Sequence, residues 1–286
     1  MTHYDPTLDL DWLCPVNRLC RLNDGLVSRW IAIPGVMGSS KWIDVANPST
    51  GNHGTLTSGL TWQSAQGRPG GFGSLTGFTG GATTTTFVDC GSNSSLNPSG
   101  GLTITAWVYP TVHGLDGDWV CARDDNVAGR SYSFGTGLGG GKLWLQTNGA
   151  NTLLGTTQSC PLNTWSVITA TGSAANGWAV YVNGVADATT AAWVTLDATT
   201  GSTCIGRRTY ASFNHGFVGA IDSVGIYNRA LSAFEVLALY NDSRAGSPAT
   251  LNWIRRPWLA QAAAAGNFGT LVGDRFSLAG KRGLAA

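Results

Sequence analysis

From Leu26 to Asn228 the chain keeps returning to one pattern. Short runs alternate apolar and polar side chains and are closed off by Gly, Asn or Asp. LVSRWIAI (26–33), TTTTFVDC (83–90), LTITAWVYP (102–110), DWVCAR (118–123), SYSFGTG (131–137), GKLWLQTNG (141–149), TWSVITATG (164–172), GWAVYVNG (177–184), STCIGRR (202–208) and FVGAIDSVGIYN (217–228) all have this form. Alternation with period two places successive side chains on opposite faces of an extended strand, so each run reads as a half-buried antiparallel strand. Asn183-Gly184 is a hairpin signal, because a type I′ turn needs positive φ at both central positions. Strands this short, with turns this frequent, point to an all-β, two-sheet antiparallel jelly-roll sandwich.

Composition supports that choice where it bears on helices. The chain of 286 residues has a single glutamate, Glu235, and three lysines, against 40 glycines. Helical proteins draw heavily on Glu, Lys and Ala. One short helix is nevertheless expected, because Ser232-x-x-Glu235 is a capping box in front of an apolar run. Leu231, Phe234, Leu237 and Leu239 or Tyr240 would then cover one face. Glu235 is accounted for by the cap.

Three zones follow. Residues 1–25 form an arm that is acidic first (Asp5, Asp9, Asp11) and then basic (Arg18, Arg21). Residues 26–243 are the sandwich. Residues 244–286 carry six basic side chains against Asp274 alone and read as a basic C-terminal extension for assembly or anchoring. Within it Trp253, Arg255, Arg256, Trp258 and Arg275 are the expected partner-binding residues, since Trp and Arg are the types enriched in interface hot spots.

Charge and motifs exclude several roles. A net charge of +1 gives no global attraction to nucleic acid. No apolar run is long enough for membrane insertion, and the first residues lack the apolar core of a secretory signal. There is no GxSxG, HExxH, Walker A or GxGxxG motif. Glycoside hydrolysis needs two carboxyl groups. The candidates Asp116 with Asp118, and Asp124 with Asp125, read as turn and loop. The expectation is that the chain is not an enzyme.

Calcium is the one metal the loop chemistry suits, because Asp44 to Gly54 is rich in carboxylate, amide and carbonyl oxygens. A plain solvated loop is the other reading, in which no cofactor is bound. The six cysteines (14, 20, 90, 121, 160 and 204) contain no CxxC pair and read as buried or free thiols, with bridges as the alternative. Trp107, Trp144, Trp165 and Trp178 lie inside strand patterns and read as core. Trp62, Trp193, Trp253 and Trp258 lie outside clear strands, where a tryptophan can stack on a sugar or a protein partner.

The ordered series AWVYP, W, YVNG, IGRR and G-x-ID-x-V-x-IYNRALS-x-E resembles a laminin G-like domain of the concanavalin A-like jelly-roll superfamily, over residues 26–243. The resemblance implies two antiparallel sheets with the Ser232 helix at one edge. Where such domains hold calcium, it implies Asp44, Asn52 and Asp222 as ligands. It also implies a domain that binds glycans or proteins, or that builds large extracellular or virion assemblies. NRLCRLNDGLVSRW and NHGTL…RPGGFGSL resemble stand-alone, signal-less proteins of bacteria and bacteriophages. Together with the arm and tail, this leads to the expectation of a structural decoration protein on a virion surface, binding other virion proteins or copies of itself and displaying a glycan-binding domain. The alternative is an extracellular carbohydrate-binding module or adhesin of a bacterial surface.

Overall fold

The computed structural model describes residues 21–244, apart from 33–39, 48–50, 64–66, 72, 81–84, 115–116, 126–128, 138–139, 149 and 209–215. In chain order the strands are β1 (Leu26–Trp30), β2 (Lys41–Trp42), β3 (Gly54–Leu56), β4 (Thr61–Gln63), β5 (Ser74–Thr79), β6 (Val88–Asp89), β7 (Gly101–Pro110) and β8 (Asp118–Asp125). They continue with β9 (Gly129–Gly137), β10 (Lys142–Thr147), β11 (Ala150–Ser159), β12 (Ser166–Ser173), β13 (Gly177–Val182), β14 (Val185–Ala191), β15 (Thr203–Ile205) and β16 (Val218–Tyr227). A single α-helix among the described residues, α1 (Ala233–Arg244), follows.

The strands form two antiparallel sheets. The back sheet runs β14-β13-β12-β7-β16-β5-β4, with β1 also paired to β16; the front sheet runs β11-β10-β9-β8-β15-β6-β3-β2. Neighbours that are distant in sequence, such as β7 beside β16 and β8 beside β15, make this a jelly-roll sandwich. Asn183 and Gly184 have φ of 53° and 77°, the left-handed pair that the β13–β14 hairpin requires.

Alternation decides what each sheet buries. On β7, Leu102, Ile104, Ala106 and Val108 point between the sheets, against Tyr132 and Phe134 of β9 and Leu143 and Leu145 of β10; all are fully buried. The other β7 face carries Thr103, Thr105 and Trp107. It is covered by α1 and the residues leading into it: the Thr103 hydroxyl donates to the Arg229 carbonyl (2.8 Å), and the Trp107 ring lies 6.2 Å from that of Tyr240. A second small core of Leu22, Tyr181, Tyr227, Leu231, Val236 and Leu239 fills this layer.

In α1, Ser232 Oγ accepts the Glu235 N–H (3.3 Å), and the Glu235 carboxylate accepts the Ser232 N–H (2.8 Å). Its other oxygen takes Arg229 Nη2 at 2.8 Å. The buried helix face is the expected one only at Leu231 and Leu239. Val236 takes a place beside Leu239 in the second core, whereas Phe234 and Leu237 are exposed. Leu22, assigned by sequence to the arm, is fully buried in the second core, so the folded body begins before Leu26. Residues 1–20 of the arm and the extension beyond Arg244 lie outside the described residues. Cys90, Cys121, Cys160 and Cys204 are free and buried; Cys14 and Cys20 are not described. Among the described residues no helix is long and apolar enough to cross a membrane.

Candidate functional site

The three residues expected to share a calcium ion divide into two groups. Asp44 is fully buried, and its oxygens accept the N–H groups of Arg29 (2.9 Å), Ala46 (3.0 Å) and Asn52 (3.1 Å). Asn52 donates its side-chain amide to Ser28 Oγ (2.7 Å) and Ser95 Oγ (3.2 Å). Asp44 and Asn52 thus meet, as knots in one loop. Asp222 is engaged elsewhere: it accepts the Ala32 N–H at 2.7 Å and Arg68 Nε at 2.8 Å. Burial pushes its carboxyl up from the ordinary carboxylate value, against the pull of Arg68 and the Ala32 N–H. A guanidinium in contact with the carboxylate repels a divalent ion, and the Asp44 oxygens are already filled by backbone donors. These residues do not fit one shared calcium. Among the described residues no group of three or more His, Cys, Asp or Glu side chains is placed to hold a metal ion.

The front sheet offers a different surface. Leu143 and Leu145 face the core, so Lys142, Trp144 and Gln146 of the same strand face away from it. Trp119 and Trp144 are both paired to Gly135 in register, from opposite sides. Their rings lie 5.1 Å apart at 40°. Glycines make the room. A Cβ on Gly137 would stand 2.5 Å from Trp144 Cε3, and one on Gly117 would stand 3.0 Å from Trp119 Cζ2. Trp119 is buried and Trp144 half-buried, so the upper ring of the pair is the accessible one.

Charged groups border this pair. The Arg208 guanidinium lies 5.3 Å from the centre of the Trp119 ring and donates to Gln146 Oε1 at 2.7 Å. Arg208 Nε and Arg130 Nε stand 3.6 Å and 3.8 Å from the same oxygen, Asp124 Oδ2. The sequence placed Asp118 and Asp124 in a turn and a loop; both belong to β8, which continues to Asp125. Asp118 turns toward the Gly114 N–H (2.9 Å) and His113, whose Nδ1 is 3.7 Å away; burial raises its carboxyl in spite of them.

A row of paired residues links the two ends of this side of the sheet: Thr55, Asp89, Cys204, Ala122, Ser133 and Gln146 stand side by side on successive strands, the last four of them buried. At its far end is an open, mostly polar cleft of about 320 Å³, whose walls include His53, Thr55, Asp89 and Asn93. His53 Nδ1 accepts the Asp44 N–H at 3.1 Å, which leaves Nε2 to carry the proton of the neutral ring. From Asp89 to Gln146 is four strand spacings, about 19 Å.

The tryptophans meet the expectation in part: Trp107 and Trp178 are buried, and Trp144 and Trp165 are only half-buried. Trp178 is core and stacks on Trp193, with centroids 4.8 Å apart. Trp62 meets the buried Trp42 edge-on at 5.6 Å. Trp107 is buried on the back sheet, where the Arg68 guanidinium lies 5.1 Å from its ring centre. Trp144, read as core, faces out. The expected partner-binding residues Trp253, Arg255, Arg256, Trp258 and Arg275 lie outside the described residues.

Residues 79–237 match a family described as the concanavalin A-like lectin/glucanases superfamily. By sequence, no curated protein matches the chain. Among solved structures, the binding domain of Paraclostridial Mosquitocidal Protein 1 is similar with a TM-score of 0.58 at 18% identity, over 77% of this chain and 53% of that one. Trypanosoma rangeli sialidase in complex with sialic acid is similar with a TM-score of 0.53 at 15% identity, over 76% and 33%. A mutant of that sialidase displaying trans-sialidase activity gives 0.55 at 15%, over 80% and 33%. The chain spans about a third of the sialidase chains and about half of the toxin chain. At these identities the likeness is one of fold. It corrects one expectation: the same sandwich occurs within enzyme chains, so the exclusion of enzymatic function does not stand.

Proposed function

The chain belongs to the concanavalin A-like lectin/glucanases superfamily, and from that premise we propose that it is a carbohydrate-binding domain that holds a glycan on the outer face of its front sheet. The observation that carries this reading is the Trp144 ring. It is half-buried, laid over Gly137 and backed by Trp119, with Lys142 and Gln146 beside it on the same face of β10. A flat aromatic ring takes up the C–H face of a pyranose, while neighbouring amide and cationic groups satisfy its hydroxyls. Ligand sites are built this way, from an apolar floor with a few fixed polar groups. The likeness to a sialidase in complex with sialic acid adds support, since that chain contains the same fold and handles a saccharide.

A glycan array followed by calorimetry on the best hit tests the reading. Trp144→Ala should weaken binding by at least about tenfold, or about 1.4 kcal/mol, with the far-ultraviolet spectrum still β-type although the lost packing on Trp119 lowers the melting temperature. Chromatography of the same mixtures shows whether the bound glycan is cut. No glycan binding, or binding indifferent to Trp144→Ala, overturns the proposal. A place on a bacteriophage particle, the reading suggested by the arm and tail, gains no support from the fold or from the similar proteins, and the carbohydrate reading does not depend on it.

A further inference from the structure

We infer that the polar cleft between β3 and the loop after β6 is a second saccharide site, separate from the Trp144 face, that takes the hydroxyl groups of a neutral sugar unit. The inference goes beyond the Trp144 reading. The row that joins the two places is buried over its last four residues, so neither site needs the other.

The cleft is lined by Asn52, His53 and Thr55 on one side and by Asp89, Ser92 and Asn93 on the other. Both walls are held from behind. The Asp44 carboxylate accepts the Asn52 N–H at 3.1 Å, and the Asp44 N–H is donated to His53 Nδ1 at 3.1 Å. Opposite, the buried Arg123 guanidinium donates to the carbonyls of Ser92 (2.9 Å) and Asn93 (3.1 Å). Walls fixed in advance lower the ordering cost of binding. At about 320 Å³ the cleft stands at the small end of ligand pockets, which run about 300–1,000 Å³. That suits one sugar ring rather than an extended chain.

The unused valences name the ligand. His53 Nδ1 is occupied as an acceptor, so Nε2 of the neutral ring is a donor and has no lone pair for a metal. Asp89 gives one oxygen to the Gly91 N–H at 2.8 Å, and its other oxygen has no donor among the described residues. Thr55 stands directly opposite Asp89 in register, which puts both side chains on one face with Cβ atoms about 5 Å apart. Asn52 is only 8% exposed. Its amide nitrogen goes to Ser28 and Ser95, and its Oδ1 accepts nothing among the described residues. A buried acceptor in the wall of a cleft is completed by water or by a ligand. A divalent cation would meet the His53 N–H, and an anion would meet the Asp89 carboxylate. A hydroxyl both accepts and donates. Neighbouring hydroxyls of a pyranose therefore serve His53 on one hand and Asp89 and Asn52 on the other.

Histidine nitrogen NMR on the intact chain reads the cleft directly, with the His53 signal identified by its loss in His53→Gln. Methyl α-mannoside, methyl β-galactoside and methyl α-fucoside would be titrated to about 20 mM, enough to fill a site with a Kd of about 1 mM. At least one should shift the His53 Nε2 resonance saturably, in the parent chain and in Trp144→Ala alike. Asp89→Asn should weaken that response by at least about tenfold. Thr55→Val, at an exposed position where folding is not at stake, should weaken it severalfold. Calcium chloride alone should leave the resonance in place. A His53 signal silent toward all three glycosides, a response that Asp89→Asn and Thr55→Val leave intact, or a shift caused by calcium instead of sugar overturns the assignment. Glycan binding that depends on Trp144 would then leave the Trp144 reading standing, whereas a saturable His53 response in a chain whose Trp144 face binds nothing supports the cleft alone.

Discussion

Arg68 joins positions that the chain keeps 154 residues apart: its Nε donates to Asp222 Oδ2 at 2.8 Å. Its Nη1 donates to the carbonyl of Ser243, in the last turn of α1. One side chain therefore ties the middle of the back sheet to the helix that covers it.

Removing that tie should be expensive. Arg68→Ala leaves a carboxylate buried without its counter-charge, a loss of about 3–5 kcal/mol. Burial already holds the Asp222 carboxyl above its ordinary value. A carboxyl raised on folding is favoured in its protonated form, so its contribution is fully present below the ordinary carboxylate range, about pH 3.9, and is lost as pH rises through the higher folded value. The Arg68→Ala deficit should therefore be largest at neutral pH and shrink on acidification. Urea unfolding at several pH values measures it.

Asp187 should behave in the opposite sense. Burial would raise its carboxyl, but the backbone N–H groups of Gln158, Thr156, Thr189 and Thr157 hold it well below the ordinary value. Three of those donors, on β11, tie the edge of the front sheet to β14 of the back sheet. A carboxyl depressed on folding stabilises above its unfolded value and loses that contribution as pH falls through the folded one. Asp187→Asn should cost about 1–3 kcal/mol at pH 7. The gap from the parent protein should narrow below about pH 4.

Glu235→Ala should cost about 0.5–2 kcal/mol through the lost capping box. Glycan affinity should be unchanged, because α1 packs on the back sheet. Thermal unfolding and calorimetry on one preparation separate the two effects.

Gly137→Ala tests the seat of the platform. Its new Cβ would stand 2.5 Å from Trp144 Cε3, so the ring must move. Binding should fall by about tenfold or more, with a changed near-ultraviolet tryptophan signal and a far-ultraviolet spectrum that remains β-type.

Much of this was legible in the sequence, for local reasons. Strand alternation, the Asn183-Gly184 turn and the Ser232–Glu235 cap each depend on residues within a few positions, and the family resemblance covers the same region. The outward face of Trp144 was also written there: Lys142, Trp144 and Gln146 share one parity and Leu143 and Leu145 the other. The error lay in treating a tryptophan within a strand as core. Asp124 was harder, because Asp-Asp-Asn reads as a turn while pairing with β9 holds Asp124 and Asp125 extended. Its meeting with Arg208 depends on β8 pairing with β15, a contact across 84 positions that no local pattern announces. Asp222 followed the resemblance to calcium-binding relatives. Its partner Arg68 comes from a Gly- and Pro-rich segment with no strand signal, and that partner changes the chemistry of the carboxylate.

The second core has a consequence for how the domain can be mounted. Leu22, near the first described residue, and Val236 and Leu239, close to the last, share that core on the far side of the back sheet. Chain entry and chain exit therefore sit together, behind the face that carries Trp144. A tether attached at Leu22 or just after Leu239 would therefore hold the body from behind and leave the Trp144 side turned away from the point of attachment.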